Sequence, residues 1–170
     1  MPDPVIVVPP DSSWPVRFAA ERDRLSAALV GMRYSIEHIG STAVPGLVAK
    51  PIIDIMLGVE ALARFEPRLP DLQALGYRYR PELESAIPER RFFVRVRGAA
   101  RTHHLHVVQA GCGFWADHLL FRDHLRNRPE TREAYNRVKL SLARQYRDDR
   151  DAYAQGKTAF IQQVLEGRWP

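Results

Sequence analysis

Glu37-His38-Ile39-Gly40-Ser41-Thr42, followed by Pro51-Ile52-Ile53-Asp54-Ile55, is the stretch on which the fold turns. Tyr34 to Ile39 reads as a strand, and Gly40 to Gly46, with two glycines and a proline, as a loop. Pro51 to Val59 is nearly all apolar and β-branched, the pattern of a strand in the middle of a sheet. Glycine at a strand end lets the backbone approach a ligand closely. Exposed amides at Gly40, Ser41 and Thr42, with two hydroxyls, can hold phosphate oxygens, and Lys50 can add a point charge on the same ligand. The alternative is a capped turn whose Ser and Thr make ordinary contacts.

Asp54 weighs against that alternative. A carboxylate inside an apolar strand is costly unless it faces a cleft, pairs with a cation or binds a metal. Strand alternation places Ile52, Asp54 and Met56 on one face, with Ile53, Ile55 and Leu57 on the other. Downstream, Arg101-Thr102-His103-His104-Leu105-His106 puts His104 and His106 on one strand face and His103 on the other. Two imidazoles on one face make half of a metal site, which a carboxylate from a neighbouring strand can complete. Members of a hydrogen-bonded network show the same spacing, and a buried ion pair with Arg101 or Lys50 would equally account for Asp54. His38, at a strand end before the Gly-Ser turn, is placed to join the cluster.

Outward from this region the pattern is one of strands first and helices later. Val5 to Val8 is a short β-branched run stopped by Pro9-Pro10. Asp11 to Ser13 supplies N-cap residues and Pro15 a first turn for a helix reaching about Val30. Glu60 to Leu75 is helical, kinked or split by Pro67 and Pro70. An extended piece begins at Gly76-Tyr77, a polar loop covers Pro81 to Glu89, and Arg91 to Arg97 with His103 to Gln109 reads as an antiparallel hairpin. From Phe114 the chain is helical, broken at Pro129, with a last helix carrying Tyr153, Lys157, Phe160, Ile161 and Val164. Tyr153 and Lys157, four apart, share a face. This order predicts an α+β fold with a mixed or antiparallel sheet and a helical C-terminal half, as one domain over residues 1–170.

The formal charge is +5 and the sequence pI about 9.7, a balance that draws phosphates and other acidic partners. Acidic residues are interleaved with the arginines, as in Arg147-Asp148-Asp149-Arg150-Asp151, which reads as a solvated helix face and makes nucleic acid an unlikely partner. Cys112 is the only cysteine, so no intrachain disulfide forms and a reducing cytoplasm is the expected location. The N-terminus lacks the pattern of a signal peptide, and no apolar run approaches the roughly 20 residues that span a bilayer.

Taken together, His38-Ile39-Gly40-Ser41-Thr42-Ala43-Val44-Pro45-Gly46-Leu47, Lys50-Pro51-Ile52-Ile53-Asp54-Ile55, Arg101 to Val108 and Phe121-Arg122-Asp123-His124-Leu125-Arg126 closely resemble the GrpB-like family of small bacterial proteins. The likeness continues through Tyr135 with Lys139 and through Tyr153, Lys157, Phe160 and Ile161. A similar domain occurs in some bacteria behind dephospho-CoA kinase. The family looks like a branch of the DNA polymerase β-type nucleotidyltransferases, whose pattern is Gly-Ser, a gap, then two carboxylates separated by one apolar residue on a strand. Ile39-Gly40-Ser41 and Asp54-Ile55 match it. Met56 stands where the second carboxylate belongs, and His104 and His106 stand where a third is expected.

What the resemblance implies is a metal-assisted nucleotidyl or phosphoryl transferase of unknown acceptor. Asp54 and His38 would be its catalytic residues. Gly40, Ser41, Thr42, Lys50, Arg122 and Lys157 would hold the phosphates of a nucleotide or other phosphate-bearing small molecule. Asp54, His104 and His106 would hold a divalent metal: magnesium, manganese or zinc. The alternative is a non-catalytic nucleotide- or coenzyme-binding module on an inherited scaffold, the reading that Met56 favours, because two-metal chemistry requires bridging carboxylates. Arg122, Arg126, Lys139 and Lys157 also admit a plainer role, in salt bridges with Asp117, Asp123 or Glu133.

Overall fold

Among the described residues five strands, β1 (Tyr34–Ile39), β2 (Ile53–Val59), β3 (Tyr77–Tyr79), β4 (Arg90–Arg97) and β5 (Ala100–Gln109), pair into one sheet in the order β1-β2-β5-β4-β3. The computed structural model describes residues 4–168. Every neighbouring pair is antiparallel except β2 and β5, which run parallel with Asp54 opposite His104 and Met56 opposite His106. A parallel pair requires a crossover. Here the crossover carries α2 (Leu62–Phe65), α3 (Leu69–Ala74), β3 and β4.

The central position of β2 explains its composition, since both of its faces are covered. On one side Ile53, Ile55 and Leu57 meet Leu25 and Leu29 from the α1 region (Trp14–Ala28), together with Phe65, Leu72, Phe93 and Leu105. A buried acid on α1, Glu21, is matched on this side by Arg24 at 2.8 Å, the Tyr77 hydroxyl at 2.9 Å and Arg95. On the other side Ile39, Met56 and Val108 pack against α4 (Gly113–Asn127) through Phe114 and Trp115. Gly58 of β2 belongs to that contact: a Cβ there would stand 2.5 Å from the Trp115 ring. Past α4, Tyr135 of α5 (Pro129–Gln145) and Phe160 and Val164 of α7 (Thr158–Leu165) close a second core over Val44, Leu47 and Leu125.

The α+β architecture, the β4–β5 hairpin and the break at Pro129 agree with the reading of the sequence. Local differences have physical causes. The run from Val5 to Val8 forms no strand beyond a single bridge from Val8 to Ala49, since Pro9-Pro10 ends the pairing. β2 starts at Ile53, after Pro51, which has no amide to donate. The helix expected over 60–75 divides into α2, a 3-10 turn at Glu66–Arg68 and α3, with Pro67 and Pro70 each in a first turn. Ser13 caps α1 by position only, and its own amide donates to Asp11 Oδ1 at 2.7 Å. The last helix is two, α6 (Arg150–Gly156) and α7, joined at Lys157. Met1 to Asp3, Trp169 and Pro170, included in the expected 1–170 domain, lie outside the described residues. Among the described residues no helix is long and apolar enough to cross a membrane.

Candidate functional site

Parallel pairing of β2 with β5 brings Asp54 and the two histidines onto one sheet face. Asp54 Oδ1 accepts a hydrogen bond from His104 Nδ1 at 2.9 Å, and His106 Nε2 lies 4.0 Å from the same oxygen. Burial opposes the charge on Asp54. The two imidazoles outweigh it and hold the carboxyl well below the usual carboxylate range. Desolvation in turn lowers His106 to about 4, so its ring is neutral at neutral pH. Phe92 packs against both rings, and Phe114 and His118 close over His106. His104 Nε2 is buried with no partner.

The resemblance implies a divalent metal here, and the donors as arranged do not fit one. Asp54 Oδ1 and His104 Nδ1, two of the atoms such an ion would take, are spent on each other. Among the described residues no three His, Cys, Asp or Glu side chains are set to hold a metal ion. The arrangement is that of a carboxylate fixed and ionised by two imidazoles, at the wall of a cavity.

That cavity, of ≈ 380 Å³, opens beside Gly40, Ser41, Asp54 and His106, with Arg122, His118 and Lys157 along it and Val44, Leu47, Phe121 and Ile161 forming an apolar side. Gly40 is what admits the carboxylate. Its φ of +70° suits glycine, and a Cβ would fall 2.6 Å from Asp54 Oδ2. Behind Ser41 stands Lys139, 2% exposed, with Nζ 2.6 Å from Ser41 Oγ and a second hydrogen bond to the Val48 carbonyl. Lys157 and Lys50 share the ring of Tyr153, at 4.6 Å and 5.3 Å from its centroid. Burial, followed by repulsion from Lys157, lowers Lys50 to about 8. Burial also lowers Lys157 and takes Lys139 well below the ordinary lysine value, with Asp54 pulling in the opposite sense on all three. Among the described residues no carboxylate lies within 4 Å of any of these three amines.

The structure therefore gathers Gly40, Ser41, Asp54, His106, Arg122 and Lys157 around one cavity, with His104 and Lys50 beside it. It sends His38 and Thr42 elsewhere. The 3-10 turn at Ser41–Ala43 points successive side chains to opposite sides, so Thr42 faces a second hollow with His38, Arg126 and Arg132. His38 is stacked on Phe18 with centroids 4.6 Å apart, its Nε2 is 3.0 Å from Thr42 Oγ1, and burial lowers it to about 4. Arg122 makes the salt bridge with Asp123 that the plainer reading foresaw. It lines the cavity while bonding Glu37 at 2.6 Å, Asp123 at 2.7 Å and the His38 carbonyl at 3.1 Å. Asp54 takes His104 as a hydrogen-bond partner.

Lys139 was absent from the expected phosphate-binding set, and the sequence did contain its signal. Of 25 basic residues only three are lysines, Lys50, Lys139 and Lys157, and all three come together here. A chain that uses arginine everywhere else has kept its lysines for one place. His118 likewise carried no local motif. It reaches the cavity because its ring stacks on Phe114, one turn earlier in α4.

Fold and site define a mixed-sheet α+β protein with a cavity that carries Lys157 where a Gly-Ser turn meets an ionised aspartate. The chain belongs to the GrpB family, whose model, described as "GrpB protein", matches residues 4–167. It is 42% identical over 167 residues to a UPF0157 protein of Pseudomonas aeruginosa, covering 96% of this chain and 67% of that protein. The crystal structure of conserved protein GrpB from Enterococcus faecalis superposes with a TM-score of 0.83 at 32% identity, covering 97% of this chain and all of that one. A dephospho-CoA kinase of Mycolicibacterium paratuberculosis is 31% identical over 191 residues, an alignment spanning 98% of this chain and 46% of the kinase.

Proposed function

We propose that the cavity binds a phosphate-bearing small molecule of the nucleotide or coenzyme class. The observation that carries this reading is Lys157 at the cavity with Lys50 beside it on the Tyr153 ring, neither amine within 4 Å of a carboxylate among the described residues. Partly buried cations left unpaired by the protein are costly. A bound phosphate would supply the missing counter-charge, with Lys157 and Arg122 at the cavity and Lys50 adding to the field from beside Tyr153. Gly40 and Ser41 give such a ligand close access to the backbone. The similarity of this chain to part of a dephospho-CoA kinase supports the nucleotide or coenzyme class.

A second reading, metal-assisted nucleotidyl or phosphoryl transfer on a nucleotidyltransferase scaffold, is favoured by Gly40-Ser41 beside Asp54 on adjoining strands. Met56, fully buried against Ile39 and Val108, offers no second carboxylate, so no step through a metal is assigned to the site.

Thermal unfolding against ATP, coenzyme A and inorganic phosphate, each with and without Mg²⁺, Mn²⁺ and Zn²⁺, separates the two. A ligand at a hundredfold its dissociation constant adds about 2.7 kcal/mol, a rise of roughly 5 °C or more for a chain of this size. The binding reading expects that shift without added metal. A shift seen only with metal favours the transferase, and no shift with any compound removes the proposal.

A further inference from the structure

Nothing in anion binding calls for the placement of Lys139. The residue is 2% exposed, and its amine stands behind Ser41 as seen from the cavity and hydrogen-bonds only to oxygen: Ser41 Oγ at 2.6 Å and the Val48 carbonyl. The Tyr135 ring, 5.5 Å away, covers it, and among the described residues it has no carboxylate partner. A neutral amine fits these surroundings better than an ammonium. Nζ donates to the Val48 carbonyl and to Ser41 Oγ, and once the amine is neutral its lone pair is placed to take the proton of Ser41 instead. Burial first, then the nearby charges of Lys157 and Lys50, act in the same direction and outweigh the opposing pull of Asp54. Ser41 itself opens onto the cavity, between the cation Lys157 and the apolar side formed by Val44, Leu47 and Phe121.

We infer that Ser41 and Lys139 form a serine–lysine nucleophile, with Ser41 Oγ the attacking atom and Lys139 Nζ its general base. A buried base within hydrogen-bond distance of a half-buried hydroxyl at a cavity wall is an arrangement that activates serine when no histidine serves. The substrate class that the cavity suits is an acyl ester of a phosphate-bearing alcohol, its phosphate toward Lys157 and its acyl group on the apolar side. This substrate assignment rests on the phosphate-binding reading, whereas the nucleophile does not. In the first step Ser41 Oγ bonds to the carbonyl carbon and its proton passes to Lys139 Nζ. As the intermediate collapses the ester C–O bond breaks, and the departing alkoxide takes that proton from Lys139. Water then attacks the acyl-serine, giving its proton to Lys139, which returns it to Ser41 Oγ as the acid leaves.

An alkyl fluorophosphonate tests the nucleophile without any knowledge of the natural ester. Ser41 Oγ bonds to phosphorus, fluoride departs and the proton is lost through Lys139 to solvent. Intact-mass and peptide analysis is expected to find one adduct per chain, on Ser41. It should be absent in Ser41→Ala and formed roughly a hundredfold more slowly in Lys139→Met, the lower range for loss of a general base. The wild-type rate is expected to level off with rising pH below the ordinary lysine value, a profile that needs no variant to fold. No adduct on Ser41, an equal rate in a folded Lys139→Met, or a rate still climbing tenfold per pH unit at high pH would overturn the inference. ATP and coenzyme A binding to the wild-type protein, compared with Lys157→Met, reports separately on the phosphate-binding reading, which stands or falls on Lys157 and Lys50.

Discussion

Lys157→Met is expected to weaken binding of ATP or coenzyme A by roughly 10- to 150-fold while leaving the protein folded. The range follows from about 1.5–3 kcal/mol for a hydrogen bond involving a charged group, at about 1.4 kcal/mol per tenfold. Lys157 sits at the junction of α6 and α7, lines the cavity and rests on the Tyr153 ring. Methionine keeps the length and apolar stem of the side chain and removes only the amine. Because burial already disfavours the charge on Lys157, the unliganded variant is expected to melt no lower than wild type. Lys157→Arg separates charge from shape, since a planar guanidinium needs more room than an ammonium beside Tyr153. Calorimetric titration reads the affinities, and unchanged affinity in Lys157→Met would place the ligand elsewhere.

Gly40→Val carries the largest expected loss of stability. The φ of +70° is strained for any residue with a side chain, at about 1–3 kcal/mol. Independently, the new Cβ would stand 2.6 Å from Asp54 Oδ2 and 3.0 Å from Asp54 Cβ, and such crowding costs about 1–3 kcal/mol. The sum, about 2–6 kcal/mol, corresponds to a fall in melting temperature of roughly 5–20 °C. Relief by moving Asp54 would sacrifice its bond to His104, so the strain has no cheap outlet. Gly31, also at positive φ (+85°) but with nothing within 4 Å of where a Cβ would stand, is the control: Gly31→Val should show the backbone cost alone. Equal losses at the two positions would mean that the approach to Asp54 costs nothing.

The parts of the site that could be read from sequence are those with local causes. Asp54 stood out because a carboxylate does not belong in an apolar strand, and His104 and His106 because residues two apart share a strand face. The strands themselves followed from apolar runs bounded by Gly and Pro. What joins them is the parallel register of β2 against β5, set by packing across the sheet between segments about fifty residues apart, and no local pattern reports it. The split of Ser41 from Thr42 depends on a single 3-10 turn that the loop composition left open. Lys139 falls on the face of α5 that carries Tyr135, where a lone lysine in a helix reads as solvated, and only the folded chain places Ser41 and Val48 against it. The junction at Lys157 was hidden because Tyr153, Phe160, Ile161 and Val164 keep nearly helical spacing through it.

The most direct test of a cavity that holds phosphate with lysines is calorimetric titration of coenzyme A and ATP at neutral and at alkaline pH. Lys50, lowered to about 8, and Lys157, lowered in the same direction, lose charge in the free protein as pH rises, so affinity must fall. The unliganded fold moves the other way. Between about 8 and the ordinary value of 10.5 the unfolded chain holds the Lys50 proton that the folded protein has released, and stability rises with pH. The expected result is saturable binding near pH 7, with protons taken up around pH 8, and affinity weakened roughly tenfold or more by pH 9.5 for each charge lost at the phosphate. Binding of equal strength at both pH values, without proton uptake, or no binding of either compound at neutral pH, would contradict it.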